Sequence, residues 1–409
     1  MPSIRYWVWL SSVSLASPKA RAALAAYYGD AERAFLAPPG AYKTIHGLSA
    51  AEAEMFEARD LRAADRILGR CAEEGIQVVT MQDAAYPRRL LNIFAPPVVL
   101  YVKGTLPNVD SIPSVAVIGT RKATPYGIKM GMKISWEIAQ SGAVVISGLT
   151  EGVDRAAARG CLLAGGCCIG VLGTAHGSES GLGRDVAASG ALVSEYPPGT
   201  KSLPRFFRER NRVSSGLAHA VCVVEAPETS GSLLFAQEAL EQGREIFAVP
   251  GNADAKNSAG TIALLKQGAR PVTCGWDVLE DFAALYPGKL RRPDGTAPEL
   301  PDPEIPEYPA ASPEPAAKTA AAERPTEKKE IDKPKSAGYI DLREQLAQLS
   351  AEQLQIITAI DSGEKHIDDI IEATGLSTAK VLSQLTILEI KGYVRRSAGR
   401  RISLNLTTK

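Results

Sequence analysis

The chain contains 409 residues with 46 basic and 46 acidic side chains, a length that suits two or three domains and a formal net charge of zero. This balance excludes a protein that coats nucleic acid by bulk attraction, so any nucleic-acid site must be a local basic patch. The six cysteines have no paired metal spacing and no membrane-length apolar stretch occurs, so we predict a cytoplasmic protein with reduced cysteines, no metal site and no membrane span.

The N-terminal residues have the spacing of helices. Alanine-rich stretches cover residues 19–28 and 49–74, and the sequence Pro38-Pro39-Gly40 interrupts the pattern between them. This spacing predicts a small helical domain, which we place over residues 1–80.

From residue 114 onward, short apolar runs alternate with glycine turns and helix-length segments. Continuous apolar strands separated by helices are typical of a parallel sheet covered on both faces. We therefore predict an α/β domain over residues 81–288, with an extended Rossmann-like, doubly wound and mostly parallel sheet. The predicted strands cover residues 115–118, 143–147, 168–172, 192–194, 221–224, 246–249 and 271–273.

One segment of this α/β domain is strongly basic. Between Lys201 and Arg212 there are five lysines or arginines against one acid, with Phe206 and Phe207 among them. Cations interleaved with aromatic rings suit a polyanion that exposes its bases, such as single-stranded DNA. The alternative is a helix with a solvated charged face and one of the two phenylalanines in the core.

Small residues and hydroxyls follow several predicted strands. They are Gly119-Thr120-Arg121, Ser147-Gly148, Gly173-Thr174 and, just past Glu225, Ser230-Gly231-Ser232. In such sheets ligands bind at the carboxyl ends of the strands, and a helix N-terminus adds aligned N–H donors for phosphate. If the basic helix precedes the strand at 221–224, Arg210 and Arg212 reach the same edge and complete a cationic cleft. The glycine spacing differs from the dinucleotide fingerprint, which argues against NAD or FAD.

The composition changes again after the α/β domain. Ten prolines occur between Pro293 and Pro334, and the residues between them are mainly Ala, Glu and Lys. Such a segment has too little apolar surface to offset chain entropy. We predict a disordered linker over residues 289–338.

The C-terminal residues 339–409 carry the pattern of a winged helix-turn-helix domain. Ser350 and Gln353 form a capping box for the first of three predicted helices, and residues 393–404 read as a hairpin. From Lys380 to the C-terminus there are seven basic residues and one acid. This excess of positive charge suits contact with nucleic acid, and protein contacts are the alternative.

Groups typical of catalysis are sparse. The four histidines lie on separate segments and match no metalloprotease, nucleophile-elbow or metal-binding pattern. Glu225 and Glu238 come near the predicted cleft and could act as a base, but a carboxylate pair of unknown separation defines no mechanism. We therefore predict a binding protein that is not an enzyme and has no cofactor.

Several short motifs recur in order along the chain. They are Asp83 with Tyr86-Pro87 and Leu90, Pro96-Pro97, Leu100-Tyr101, Lys103-Gly104, Gly119-Thr120-Arg121, Pro125-Tyr126-Gly127, Ser147-Gly148-Leu149, Gly152-Val153-Asp154, Ser194-Glu195-Tyr196-Pro197, Arg210-Asn211-Arg212, Val224-Glu225-Ala226, Ser230-Gly231-Ser232 and Val249-Pro250-Gly251. With the linker and the winged helix, this series resembles the DNA-processing protein A family, also called DprA or Smf, over nearly the whole chain.

The resemblance implies a Rossmann-like homodimer with a SAM-like, helix-hairpin-helix N-terminal domain. It further implies that the protein binds single-stranded DNA, protects the incoming DNA and loads a RecA-type recombinase during natural transformation and DNA processing. The positions that match the family's DNA-binding elements, together with the candidates from the strand ends, are Gly119, Thr120, Arg121, Ser147, Gly148, Lys201, Phe207, Arg210, Asn211, Arg212, Ser230, Gly231 and Ser232.

The chain departs from the family at specific positions. Ala158 stands where the family usually has His, Arg208 where it has Pro, Phe235 where it has Thr and Ile262 where it has Asn. A glycine- and serine-rich stretch over residues 175–183 replaces the usual Tyr-Pro after the third strand's turn. These changes concern the rim of the predicted cleft opposite Arg121 rather than the fold.

Two other functions fit parts of the pattern. A nucleotide phosphoribohydrolase of the lysine-decarboxylase-like group has the same fold, with phosphate at a Gly-hydroxyl helix start and a nearby Glu such as Glu238. Its Pro-Gly-Gly-x-Gly-Thr turn is absent here. A transcription regulator would use the winged helix to bind duplex DNA and the sheet to sense a ligand.

Overall fold

The computed structural model describes residues 4–13, 16–177, 179–293, 351–360, 365–376, 380–381, 384–385, 388, 393–397 and 401–404. The chain divides into two compact units, residues 1–311 and residues 312–409. Most of the predicted linker lies outside the described residues, as does the predicted cap Ser350. The predicted domain limits stay predictions.

Five α-helices form the described N-terminal part of the first unit. They are α1 (Ile4–Ser12), α2 (Pro18–Tyr28), α3 (Ala31–Phe35), α4 (Ala50–Glu57) and α5 (Leu61–Glu73). They enclose a core that includes Trp7, Trp9 and Phe56. Where the sequence shows one alanine-rich stretch over residues 49–74, Asp60 interrupts it, because its carboxylate caps α5 through the N–H of Arg62.

A nine-stranded sheet occupies the centre of the first unit. Its strands are β1 (Gln77–Thr80), β2 (Val99–Gly104), β3 (Ser114–Ile118), β4 (Val144–Ser147), β5 (Cys168–Leu172), β6 (Ala191–Ser194), β7 (Ala220–Val223), β8 (Glu245–Ala248) and β9 (Arg270–Pro271). Their spatial order is β1-β2-β6-β5-β4-β3-β7-β8-β9. Strands β3 to β9 pair in parallel, which confirms the predicted doubly wound, mostly parallel sheet.

The first two strands extend the sheet in the antiparallel sense, and no strand was predicted for them. Strand β1 pairs with β2, and β2 pairs with β6 through Tyr101 and Ser194. The apolar run from Val98 to Val102 is fully or almost fully buried. Since antiparallel strands need no intervening helix, the alternation of strands and helices that identifies the parallel strands does not mark these two.

Helices cover both faces of the sheet. One face packs against α6 (Arg88–Leu91), α10 (Pro204–Leu217) and α11 (Gly231–Glu241). The other packs against α7 (Pro125–Gln140), α8 (Val153–Leu163), α9 (Gly181–Ser189) and α13 (Trp276–Leu285). Helix α12 (Ala259–Lys266) follows β8. Between β3 and β7 the strand order reverses, and open α/β sheets bind ligands at such a point.

The second unit has two helices with known bounds, α14 (Ala351–Ile360) and α15 (Ile367–Thr374). Residues 380–381, 384–385 and 388 are also helical, within the predicted third helix. A three-stranded antiparallel sheet joins β10 (Lys365–His366), β11 (Val394–Ser397) and β12 (Arg401–Leu404) in the order β10-β12-β11. Helices and strands share one apolar core, as in a winged helix. Throughout the described part of the chain, no helix combines the length and the apolar character needed to span a membrane.

Candidate nucleic-acid interface

A cleft of about 890 Å³ opens at the switch point, where the carboxyl ends of β3, β4 and β7 meet the N-terminal half of α10. Most of the residues that the sequence singles out line it. They are Gly119, Thr120, Arg121, Ser147, Gly148, Phe207, Arg210, Asn211, Ser230, Gly231 and Ser232. The cleft is at the upper end of the usual size range for ligand pockets.

The turn after β3 is held in place by the end of β7. The N–H of Thr120 donates to the carbonyl of Glu225 at 2.7 Å. The Glu225 carboxylate is buried and accepts bonds from the N–H and the hydroxyl of Thr124, at 2.9 and 2.5 Å. A Cβ on Gly127 would collide with that carboxylate. The carboxylate of Glu225 therefore supports the turn that carries Arg121 and is not a free base in the cleft.

The turn after β4 brings a buried cation and a buried carboxylate together over Gly148. A Cβ at this position would collide with Arg210 Nη1 and with Asp154 Oδ2. Asp154 begins α8, accepts a bond from the Thr150 hydroxyl at 2.8 Å, and has its pKa raised by burial. The Ser147 hydroxyl donates to the carbonyl of Asp154 at 2.7 Å. Glycine at position 148 is thus required by the close approach of Arg210.

The charge of Arg210 is only partly balanced, because the carboxylate of Asp154 approaches it over Gly148 without accepting a hydrogen bond from it. Its side chain is 7% exposed, and Nη1 donates to the carbonyl of Val171 at 2.8 Å. Its Nε has no hydrogen-bond partner, and it forms no ion pair with the carboxylates that the structure describes. Burial lowers the pKa of Arg210, Asp154 opposes this shift, and the charge of Arg121 adds to it. A buried arginine in this situation is stabilised by an anion that enters the cleft.

The mouth of the cleft is also basic. Arg121, Lys122 and Arg208 are exposed there, and together with Arg210 they give four cations against the carboxylates of Asp154 and Glu228. Such an excess of positive charge inside a concave surface attracts a polyanion even though the whole chain has no net charge.

An aromatic ring and a helix N-terminus complete the lining. Phe207 is half-buried and packs so closely on Gly173 that a Cβ there would lie 2.8 Å from its ring. On the opposite side, the Ser230 hydroxyl caps α11 by accepting a bond from the N–H of Ser232 at 3.3 Å. N–H donors at the start of a helix are suited to bind phosphate.

Two of the sequence-predicted residues lie elsewhere. Arg212 is 5% exposed, pairs with the buried Glu195 and donates to the carbonyl of Ala95 at 2.6 Å, so its charge is already neutralised in the protein interior. The structure therefore does not bring Arg212 to the cleft edge where the sequence placed it. Lys201 is exposed and lines a second pocket.

Phe206 and the positions that depart from the family also divide into residues that line the cleft and residues that lie elsewhere. Phe206 is buried and stacks on Tyr196 with 3.9 Å between ring centroids, so of the two phenylalanines it is the one in the core. Among the departures from the family, Arg208 and Phe235 line the cleft. Ala158 is fully buried in α8, and Ile262 lies in α12.

Several residues of the cleft are absent from the set that the sequence predicts to bind DNA. Lys122, Thr150, Asp154 and Ser214 also line the cleft. Lys122 follows Arg121 directly, and Ser214 lies seven residues after Phe207 on the same face of a helix. Both residues could therefore have been predicted from their spacing to residues already selected. Glu238, by contrast, is not among the lining residues, and burial raises its pKa to about 6. Among the described residues no cluster of His, Cys, Asp or Glu has the arrangement of a metal site.

Two family models match the sequence. That of DNA recombination-mediator protein A covers residues 77–283, which contain the sheet and the cleft. That of the DprA winged helix domain covers residues 342–400 and confirms the winged helix predicted for the C-terminal part.

Individual proteins are similar over large parts of the chain. Protein Smf of Synechocystis sp. is 30% identical over 405 residues, which are 97% of either protein. DNA processing protein DprA of Bacillus subtilis is 37% identical over 222 residues, 53% of this chain and 75% of that protein. The X-ray structure of DNA processing protein A from Streptococcus pneumoniae superposes with a TM-score of 0.60 at 29% identity, covering 68% of this chain and 97% of that one.

Proposed function

The chain belongs to the DNA recombination-mediator protein A family, and from this premise we propose that it binds single-stranded DNA in the cleft between β3, β7 and α10. The observation that carries the proposal is the buried guanidinium of Arg210, which has a carboxylate nearby but no ion pair among the described residues, beside the half-buried ring of Phe207. A phosphate neutralises the first, and an unpaired base stacks on the second.

The chemistry of the cleft favours a single strand over a duplex. In a duplex the bases are stacked on one another, so a ring such as Phe207 has no free base face to contact. Phosphates of a single strand can reach Arg121, Arg210 and the N–H groups that open α11, because the flexible backbone follows the cleft. The hydroxyls of Ser230 and Ser232 bond to each other at 2.5 Å, so one of the two O–H groups is left to donate at the same edge.

We further propose that the bound strand is passed to a RecA-type recombinase during DNA processing and natural transformation, and that the protein acts as a homodimer in the cytoplasm. The name of the family, a recombination mediator, supports the recombinase step. Sedimentation with and without a single-stranded oligonucleotide tests the dimer. Strand exchange by a RecA-type recombinase on DNA coated with single-strand-binding protein tests the loading.

Replacement of Arg121 by alanine is expected to lower the affinity for single-stranded DNA about tenfold, because a charge-assisted contact contributes on the order of 1.5 kcal/mol. The salt dependence should weaken as well, since each phosphate contact adds about 0.7 to the slope of log K against log salt for a single strand. Fluorescence anisotropy of labelled single-stranded and duplex oligonucleotides at several salt concentrations measures both effects.

Arg159→Ala is the matched control, because Arg159 is an exposed arginine on α8 that does not line the cleft. It should leave affinity and salt slope unchanged. A preference for duplex DNA that Arg121→Ala does not alter would contradict the proposal. Such a result would assign DNA binding to the winged helix and favour the alternative of a transcription regulator.

Replacement of Phe207 by alanine should weaken binding by about 1 to 3 kcal/mol, the contribution of stacking one base on an aromatic ring. The salt slope should not change, since no phosphate contact is lost. Phe94→Ala is the control, because Phe94 is 74% exposed and does not line the cleft. If Phe207→Ala and Phe94→Ala bind with equal affinity, the ring at 207 does not contact a base.

The phosphoribohydrolase alternative requires a reactive carboxylate in the cleft. Of the two glutamates that the sequence suggests as a base, Glu225 has both carboxylate oxygens bonded to Thr124, and Glu238 does not line the cleft. The carboxylates that do line it belong to Asp154 and Glu228. Release of free base from a purine mononucleotide, abolished by Glu238→Gln, would revive this alternative and contradict a purely binding function.

A further inference from the structure

A second pocket of about 410 Å³ lies beside the N-terminal turn of α10, on the opposite side of that turn from the cleft. Leu203, Arg205 and Phe206 line this second pocket, whereas Pro204, Phe207 and Arg208 line the cleft. Its other walls come from the end of α1, from α2 and from the turn at residues 197–200.

The second pocket contains a buried cation that no described carboxylate contacts directly. Arg21, in the first turn of α2, is 9% exposed. Its Nη2 donates to the carbonyl of Val13 at 3.3 Å, while its Nε has no hydrogen-bond partner. It forms no ion pair with a carboxylate in the part of the chain that the structure describes. Burial lowers the pKa of its guanidinium, and the carboxylates of Glu195 and Glu209 oppose this shift in part. A buried charge in this state is costly unless an anion accompanies it.

The remaining charges of the second pocket also favour an anion. Lys201 and Arg205 are exposed at its mouth, so three cations face one lining carboxylate, that of Glu209. This carboxylate is already engaged, because it accepts a bond from the Tyr196 hydroxyl at 2.8 Å and lies 3.7 Å from Arg205 Nε. Cations therefore outnumber carboxylates among the residues that line the pocket, although Glu195 and Glu209 balance part of the charge of Arg21.

The cleft and the second pocket are separated by a single helix turn. A helix with its side chains is about 10 Å across, a distance that about three nucleotides of a single strand can span. A strand that leaves the cleft past Phe207 and Arg208 meets Arg205 and Lys201 next.

We propose that the second pocket is an additional phosphate site, in which Arg21, Lys201 and Arg205 hold the same single strand after it crosses the first turn of α10. The inference rests on the proposed function of the cleft and extends it, since it assigns a DNA contact to the helical N-terminal part. The sequence placed Lys201 among the DNA-binding residues, and the second pocket gives it a site separate from the cleft.

The test uses the full chain and single-stranded oligonucleotides of about 5 and about 15 nucleotides, which lie near the two ends of the range of site sizes of single-strand binding proteins. Lys201→Gln and Arg21→Met should each lower the affinity for the longer oligonucleotide about fivefold to tenfold and reduce its salt slope by about 0.7. Binding of the shorter one should be unchanged. Lys19→Gln is the matched control, because Lys19 is an exposed lysine of α2 outside the pocket.

Each outcome has a defined meaning. Lys201 is exposed, so its replacement keeps the test valid even if Arg21→Met impairs folding. If Arg121→Ala weakens both oligonucleotides and the pocket variants weaken neither, this inference fails and the proposed function stands. If no variant changes the affinity for either oligonucleotide, both this inference and the proposed function fail. Stabilisation of the chain by inorganic phosphate that Arg21→Met abolishes, with unchanged oligonucleotide affinities, identifies a free-anion site and overturns the inference.

Discussion

Arg210→Met is expected to reduce the affinity for single-stranded DNA about thirtyfold or more, the largest loss from any single side chain of the cleft. Truncating one partner of a buried, hydrogen-bonded charge pair costs about 2 kcal/mol or more, because the other charge stays desolvated without its partner. Arg210 is more buried than Arg121 and has no ion pair within the described residues, so a phosphate beside it forms such a pair. Fluorescence anisotropy at constant salt measures the loss.

Two further substitutions separate the charge of Arg210 from its geometry. Arg210→Lys keeps the charge and loses the planar fork, so it should recover only part of the affinity. Gly148→Ala keeps the arginine but forces it away from its position, because the new Cβ would collide with Nη1, and it should also weaken binding. Gly69→Ala, on an open face of α5, is the control for adding a methyl group.

The prediction for Arg210 depends on the fold remaining intact. Arg210→Met removes the donor to the Val171 carbonyl, so its unfolding midpoint in urea should be measured with that of the wild type. Affinities are then compared where both chains are folded. A folded Arg210→Met chain that binds single strands as tightly as the wild type would show that the phosphates lie elsewhere.

The sequence predicts the parallel part of the fold well because each strand is a continuous apolar run between a glycine turn and a helix. The strand predicted at 115–118 is β3, Ser114–Ile118, and the others agree to within about one residue at each end, except that the strand predicted at 271–273 shares only Pro271 with β9, Arg270–Pro271. Once the parallel strands are known, the location of the site can be predicted, because the carboxyl ends of neighbouring parallel strands lie at one edge of the sheet. Gly119-Thr120-Arg121 and Ser147-Gly148 are brought together for that reason.

The basic helix could be predicted only in part. Its composition identifies a cationic segment, but residues 210 and 212 are about 200° apart around a helix, so one of the two must face away from the cleft. The spacing of Phe207, Arg210, Asn211 and Ser214 marks the face that lines the cleft. Which charge is neutralised in the interior depends on Glu195 and Ala95, which are distant in sequence. No local pattern reveals such partners.

Arg212→Met is expected to destabilise the chain by about 3 to 5 kcal/mol, because it leaves the buried carboxylate of Glu195 without its partner. It also removes the donor to the carbonyl of Ala95, whose backbone has a φ of 53° and is therefore in a strained conformation for a residue other than glycine. The total stability of a domain is only about 5 to 15 kcal/mol, so the effect is large. Urea unfolding followed by tryptophan fluorescence measures it.

The same variant decides between the two roles that sequence and structure give to Arg212. If the residue is a structural ion-pair partner, Arg212→Met lowers the unfolding midpoint, while the protein that remains folded binds single strands with nearly wild-type affinity. The double variant Arg212→Met with Glu195→Gln should then recover part of the lost stability, since no unpaired buried charge is left. If instead the unfolding midpoint is unchanged and the affinity falls as it does for Arg210→Met, Arg212 is a DNA ligand, and the buried pair with Glu195 does not persist when the strand is bound.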